Sequence, residues 1–287
     1  MKHDEIMLRI KRNYESRSKT YLTRRTPVII RLDGKAFHTY TKGLNKPFDE
    51  GLIQDMQSTA IYLCQHIQGA KCAYTQSDEI SILVTDFDTL TTDAWFDYNV
   101  QKMTSVSASL ATGVFNELRA KKFHREVNIY QVTDYHQKLA FFDSRVFNIP
   151  PDEVGNYFYA RQRDAVKNSV AMLAQSLYSH SELHEKNGNE MQEMCFQKGH
   201  NWNDLHWSKK RGSFIVKNTY VDEHCLSDRD AKGNKSVEFF TDLKYAIFDE
   251  NVKDWVALPN QVLRTKWEVI ETPERFALSN FVQHLKI

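Results

Sequence analysis

Proline and glycine are scarce in this chain, 6 and 10 of 287 residues, which excludes collagen-like and low-complexity architectures. Cysteine is scarcer still. Cys64, Cys72, Cys195 and Cys225 fall without CxxC spacing, so neither a zinc ribbon nor a disulfide scaffold is expected; reduced thiols in a cytoplasmic protein fit the pattern. No apolar run approaches the roughly 18 residues of a membrane span. The opening stretch MKHDEIMLRIKRNYE mixes acids with bases and has no apolar centre, unlike a signal peptide. An excess of one charge sign is missing too. The formal net charge is +1, so no global footprint for a polyanion is present. Gly-rich P-loops, GxSxG elbows, Cys-His dyads and internal repeats are all absent.

What is there is a large globular chain, 41% apolar and 26% charged, with two short segments that carry chemistry. Val28–Leu32 is a β-branched run that reads as a buried strand and ends in Asp33-Gly34. Lys71–Gln76 and Glu79–Thr85 read as two strands of a tight hairpin turning at Ser77-Asp78. Helices are expected over 49–68, with Asp49 as cap or first-turn acid and Gly69 closing it, and over about 93–118. Further strands are expected at Asn128–Val132 and Leu139–Phe147. The order up to residue 148 is then β-α-β-β-α-β, a ferredoxin-like split βαβ layout with helices on one face, as in the palm of nucleotide polymerases and cyclases. Beyond Pro150-Pro151 a long helix over 152–180, a short one near 190–197 and a β-rich remainder make a second, mixed region, 149–287. The fold class is α+β.

In such a sheet the first strand and the hairpin are neighbours. Asp33 and Asp78 then project from one edge, where two Mg²⁺ ions about 3.5–4 Å apart grip a nucleoside triphosphate. The blander reading makes both of them turn acids. Gly34 has a carbonyl to offer a metal and an amide to face phosphate. Lys35, His38 and Lys46 supply positive charge around the triphosphate. Glu79 points to the opposite face from Asp78 if the strand is regular; it is either an outer metal ligand or a base behind the metals, and ranks below the two aspartates as a catalytic and metal-binding residue. The compact basic runs Arg119–Arg125 and Lys209–Arg211 either track phosphates or are solvated ends. His180 and His184, and the cluster Gly199–Trp207 (GHNWNDLHW), read better as a surface pair and a packed loop than as a zinc site or a base platform.

The strings RLDGKAFH, from Arg31, and YTQSDEISILVTDF, from Tyr74, closely resemble the tRNA-histidine guanylyltransferase superfamily, especially its guanylyltransferase-like branch. Asn45-Lys46-Pro47 with Asp49, Trp95-Phe96 with Lys102-Met103, Phe142–Val146 and Ala160–Asp164 follow in the same order. That resemblance implies a palm-like enzyme adding nucleotides in the 3′-to-5′ direction to a tRNA 5′ end. A 5′-monophosphate is activated with ATP, and the 3′-hydroxyl of GTP or another nucleotide then expels AMP. It implies two Mg²⁺ ions held by Asp33, Asp78 and the Gly34 carbonyl, with Glu79 beside them. It implies phosphate and nucleotide contacts from Lys35, Ala36, Phe37, His38, Lys46, Asp49, Ser77 and Lys102, and 5′-end activation by Arg161 and Asn168. A homotetramer is the family's usual state. Three departures separate this chain from eukaryotic members. Their His-Ile-Asn-Asn run is here Val166-Lys167-Asn168-Ser169. Their basic run after Trp-Phe is here Asp97-Tyr98-Asn99, and their Lys-Asn-Glu motif is only echoed at Lys186-Asn187. These departures favour templated 5′-end repair over strict guanylylation of tRNA-histidine. A palm-fold cyclase or a non-catalytic RNA-binding module are the readings from other classes.

Overall fold

The computed structural model describes residues 3–126, 138–222, 246–249, 254–257 and 262–271. Met1–Val216 together with Glu268–Ile287 forms one compact unit, and Lys217–Trp267 forms another. Helix α1 (His3–Ile10) precedes strand β1 (Val28–Gly34), the four-residue helix α2 (Phe37–Tyr40), helix α3 (Glu50–His66) and the hairpin β2 (Ala70–Gln76) and β3 (Glu79–Val84). Helix α4 (Val100–Glu126), strand β4 (Phe142–Asn148) and helix α5 (Pro151–Leu177) follow. Next come α6 (His180–Leu183), α7 (Gly188–Gln197), α8 (Trp207–Arg211) and strand β5 (Ser213–Asp222). The strand order is β4-β1-β3-β2-β5, continued by β8 (Val262–Glu271), and the pairings among β1–β5 are antiparallel. In the second unit β6 (Ala246–Asp249) and β7 (Asp254–Ala257) pair antiparallel.

Local chemistry explains the element ends. Asp49 lies in extended backbone and its carboxylate accepts the Leu52 amide at 2.7 Å, satisfying a donor that the first turn of α3 leaves orphaned. We predict that Asp49→Ala lowers unfolding free energy by about 1 kcal/mol; chemical denaturation checks it, and an unchanged midpoint refutes it. Helix α3 ends at His66, three residues before Gly69. Gly69 sits at φ +81°, where an added Cβ would lie 2.3 Å from the Thr85 carbonyl oxygen, so it serves the close passage of backbone after the helix.

The expected helix over 93–118 is corrected at both ends. Phe96, Asp97 and Tyr98 have positive φ, which no α-helix accommodates. The helix begins only at Val100, where Asn99 caps it by accepting the Lys102 amide at 3.0 Å, and it runs on to Glu126. The strand expected at Asn128–Val132 lies outside the described residues. The long helix proves to be Pro151–Leu177, with a proline at its start and Asp152 and Glu153 in its first turn, where both are favoured.

Register decides which side chains share a face, because residues directly opposite in neighbouring strands point the same way. Val28, Ile30 and Leu32 of β1 share theirs with Val84, Ile82 and Ile80 of β3. Helix α4 packs against β1 and β4, and α3 packs against β2 and β3. The other face carries Ile29, Leu83, Tyr74 and Phe214, buried with Val154, Phe158 and Ala165 of α5. Each such side chain contributes roughly 1.5–3 kcal/mol by leaving water. The sheet is therefore covered on both faces, and its polar corner lies where the α5-side apolar residues stop.

Candidate functional site

That corner is built by register. Asp33 of β1 lies opposite Glu79 of β3 on one side and opposite Asp143 of β4 on the other. Three acids thus stand in a row across adjacent strands. One step back, Arg31 lies opposite Ser81 and Arg145. Like charges placed directly opposite one another destabilise a sheet, so this end is built for something other than stability. Strand alternation put Arg31 on the Asp33 face, a signal readable in the sequence; Asp143 is legible only once β4 is registered against β1.

The backbone ties the two predicted carboxylate segments together. The Gly34 amide donates to the Asp78 carbonyl at 3.1 Å, and the Lys35 amide donates to the Phe141 carbonyl at 2.8 Å. Ser77 takes φ +50° at the first central position of the two-residue turn, the conformation that a tight hairpin of this hand needs. The Asp78 carboxyl is pushed up from its ordinary value by burial; hydrogen bonds from its own backbone and from Ser77 oppose this, and the nearby charges of Asp33 and Glu79 add to it. Asp33 and Asp78 are therefore electrostatic neighbours. A hard divalent cation suits such oxygen donors and relieves their repulsion. Among the described residues no three His, Cys, Asp or Glu side chains gather as a ready-made metal cluster. Two carboxylates completed by a backbone oxygen fit this corner.

Glu79 is nearly buried, with its side chain 6% exposed. Its Oε2 accepts from Arg31 at 2.7 Å and from Arg161 at 3.1 Å. The loop after Asp33 keeps Lys35, Ala36 and His38 exposed around a buried Phe37, whose ring packs on Phe115 and Phe142. Ala36, at φ +54°, starts α2 by accepting from the Thr39 amide at 2.9 Å. Lys46 is exposed. Lys102, on the first turn of α4, lies 5.7 Å from the Phe96 ring centre. Asp49, Ser77 and Asn168 line a common cleft with Phe48, Leu52 and Met172, so α3, the hairpin and α5 converge there. Arg161, two turns before Asn168 on the same helix, is tied to Glu79 and, through its other amino group, to Asp164 at 2.5 Å.

Other sequence features are absorbed by packing. Arg119 pairs with the buried Asp55 at 3.0 Å, Lys121 with Glu117 and Lys209 with Glu50. Lys210 and Arg211 are buried, and the Lys210 ammonium donates to the Asn203 carbonyl at 2.6 Å. Trp202 is buried with its indole N–H on Ser169 at 3.0 Å, whereas His200 and His206 of the same stretch are exposed. Cys64, Cys72 and Cys195 are free and buried, and burial pushes the Cys64 and Cys72 thiols up; Cys225 lies outside the described residues. Among the described residues no helix is long and apolar enough to cross a membrane.

The sequence profile of the tRNAHis guanylyltransferase family matches residues 8–150. A bacterial tRNA(His) guanylyltransferase (Thg1)-like protein solved in complex with ATP is 48% identical, with a TM-score of 0.68 over 74% of this chain and 88% of that one. A bacterial protein of the same description, solved in complex with GTP, is 39% identical with a TM-score of 0.71, over 98% of this chain and 99% of that one. The tRNA(His) guanylyltransferase of Kluyveromyces lactis is 31% identical over 129 residues, 44% of this chain and 49% of the yeast protein.

Proposed function

The chain belongs to the tRNAHis guanylyltransferase family and is a nucleotidyltransferase; from that premise we propose that it activates a tRNA 5′ end with ATP and adds nucleotides in the 3′-to-5′ direction, as templated 5′-end repair. The observation carrying this reading is the backbone-tied pairing of the Asp33 and Asp78 strand ends. The order β4-β1-β3-β2, with α3 and α4 as crossovers, supports a polymerase-palm-like split βαβ sheet.

Asp33, Asp78 and the Gly34 carbonyl would hold two Mg²⁺ ions, with Glu79 beside them. When bound, the metal supplies charge neutralisation for in-line phosphoryl transfer. Lys35, His38, Lys46 and Lys102 receive the triphosphate together with the backbone of Ala36 and Phe37, the Phe37 ring itself being buried in the core. Asp49 and Ser77 face the nucleotide in the cleft that they share with Asn168. Arg161 and Asn168 handle the RNA 5′ end. The 5′-phosphate oxygen attacks the α-phosphorus of ATP and pyrophosphate leaves; the 3′-hydroxyl of the incoming nucleotide then attacks the activated 5′-phosphorus and AMP leaves. A tetramer acting in the cytoplasm is the state that the family resemblance implies.

The yeast relative's name favours a second reading, addition of one guanylate to tRNA-histidine. Val166, and Asp97-Tyr98-Asn99 in place of a basic run, speak for templated repair instead. We predict that tRNAs lacking one 5′ nucleotide gain the base complementary to the opposing 3′-strand residue, with Watson–Crick partners preferred about tenfold or more over mismatches. Incorporation of G opposite every base would sink templated repair, and no incorporation on any RNA would sink the enzymatic reading.

A further inference from the structure

Glu79 is the third carboxylate at this corner, yet both of its oxygens already accept hydrogen bonds, Oε2 from two guanidiniums. Oε2 is shared by two guanidiniums, Arg31 at 2.7 Å and Arg161 at 3.1 Å. Oε1 accepts from Ser81 Oγ at 3.3 Å, and that hydroxyl meets the Tyr157 hydroxyl of α5 at 2.9 Å. A divalent cation approaching this carboxylate would confront two monovalent ones already on it, in a nearly dry setting where charge interactions are strong. Among the described residues no arginine or lysine pairs with Asp78, whose carboxyl is pushed up by burial, with hydrogen bonds from its own backbone and Ser77 opposing this and the Asp33 and Glu79 charges adding to it.

Three elements meet at this one carboxylate. Arg31 comes from β1, two residues before Asp33 on the same face, Glu79 from β3 and Arg161 from α5. The Arg31 Nε–H is buried without a hydrogen-bond partner, an expensive state for a charged donor unless a ligand completes it. Arginine pairs are well matched to phosphate.

We propose that Glu79 is a positioning residue and not a metal ligand: it holds the Arg31 and Arg161 guanidiniums together beside the Asp33–Asp78 end, where they receive the anionic 5′-phosphate of the RNA. This rests on the nucleotidyl-transfer reading. It separates the corner into two functions, an acidic part that takes cations and an arginine pair that takes the polyanion. Glu79 prevents the two guanidiniums from repelling each other before RNA arrives.

The test compares wild type, Glu79→Gln, Arg161→Met, the double variant and Asp78→Asn. Mn²⁺ binding in the presence of GTP, read by electron paramagnetic resonance, stays within about twofold for Glu79→Gln and weakens about tenfold or more for Asp78→Asn. The KM for 5′-monophosphorylated tRNA rises about tenfold in each of Glu79→Gln and Arg161→Met, and the double variant is no worse than the poorer single, because one clamp is lost in each. Arg161→Met stands in where Glu79→Gln melts below the assay temperature. Loss of Mn²⁺ in Glu79→Gln to the extent seen in Asp78→Asn overturns the proposal, as does multiplication of the two KM effects. If wild type transfers no nucleotide, or if Asp78→Asn binds Mn²⁺ as wild type does, the nucleotidyl-transfer reading has failed; weakened Mn²⁺ in Glu79→Gln alone is the failure specific to the clamp.

Discussion

Asp33→Asn and Asp78→Asn each cut Mg²⁺-dependent nucleotide addition by about a thousandfold or more, and both proteins still fold. The activity loss follows from chemistry that is almost wholly charge neutralisation: phosphoryl transfer asks the protein for positioned cations, and each carboxylate is one of two that hold them. Survival of the fold follows from the register. Asp33 faces Glu79 on one strand and Asp143 on the other, and Asp78 ionises against burial with the charges of Asp33 and Glu79 adding to the cost. Deleting either charge relieves repulsion that the folded state carries, so both variants melt no lower than the parent. Label transfer from a radiolabelled nucleotide to a 5′-truncated tRNA, read beside thermal melting, checks both halves. Full activity in both variants removes the metal site. A fall in melting temperature of several degrees would instead make these aspartates structural turn acids.

Gly34→Ala is expected to damage the same site from the other side. A Cβ at residue 34 would lie 2.3 Å from Phe37 Cδ2 and 2.5 Å from Cε2, well inside van der Waals contact. Phe37 has little room to retreat: it is 5% exposed, with Phe115 and Phe142 ring centres at 5.8 and 5.3 Å. Either the ring leaves its cluster or the end of β1 shifts away from the hairpin, stretching the hydrogen bond from the Gly34 amide to the Asp78 carbonyl. The first outcome costs about 1–3 kcal/mol of stability through misfit in the core. The second separates the two aspartates and lowers activity by about a hundredfold, because a displacement near 1 Å at a reacting centre has that effect. Denaturant unfolding and the same label-transfer assay measure the two together. Unaltered stability with unaltered activity would mean that the close approach of residues 34 and 37 carries no consequence.

Much of this was readable along the chain. The β-branched run Val28–Leu32 ending in Asp33-Gly34, the turn at Ser77-Asp78 and the cap at Asp49 are local signals, governed by neighbours a few residues away, and the structure has each where local chemistry puts it. The start of α4 was not readable. Val100 begins the helix because three preceding residues adopt positive φ, a conformation that their side chains do not advertise. The partners of the basic runs were not readable either. Arg119 and Lys209 look free in sequence, but Asp55 and Glu50, 64 and 159 residues away, neutralise them.

Glu79 shows where the division falls. Its neighbours in sequence, Ser77-Asp78 before and Ile80 after, define a strand start with an acid on it, and family resemblance adds a metal. Local pattern thus sets which residue types reach the sheet edge, because strand periodicity and turn preference act over a few residues. Whether that acid faces a cation from solvent or two arginines from the protein depends on β1 and on α5, 48 and 82 residues distant. Only the pairing of β1 with β3 and the packing of α5 onto the sheet bring the two guanidiniums there, since charge acts through space and the chain must fold before the space exists.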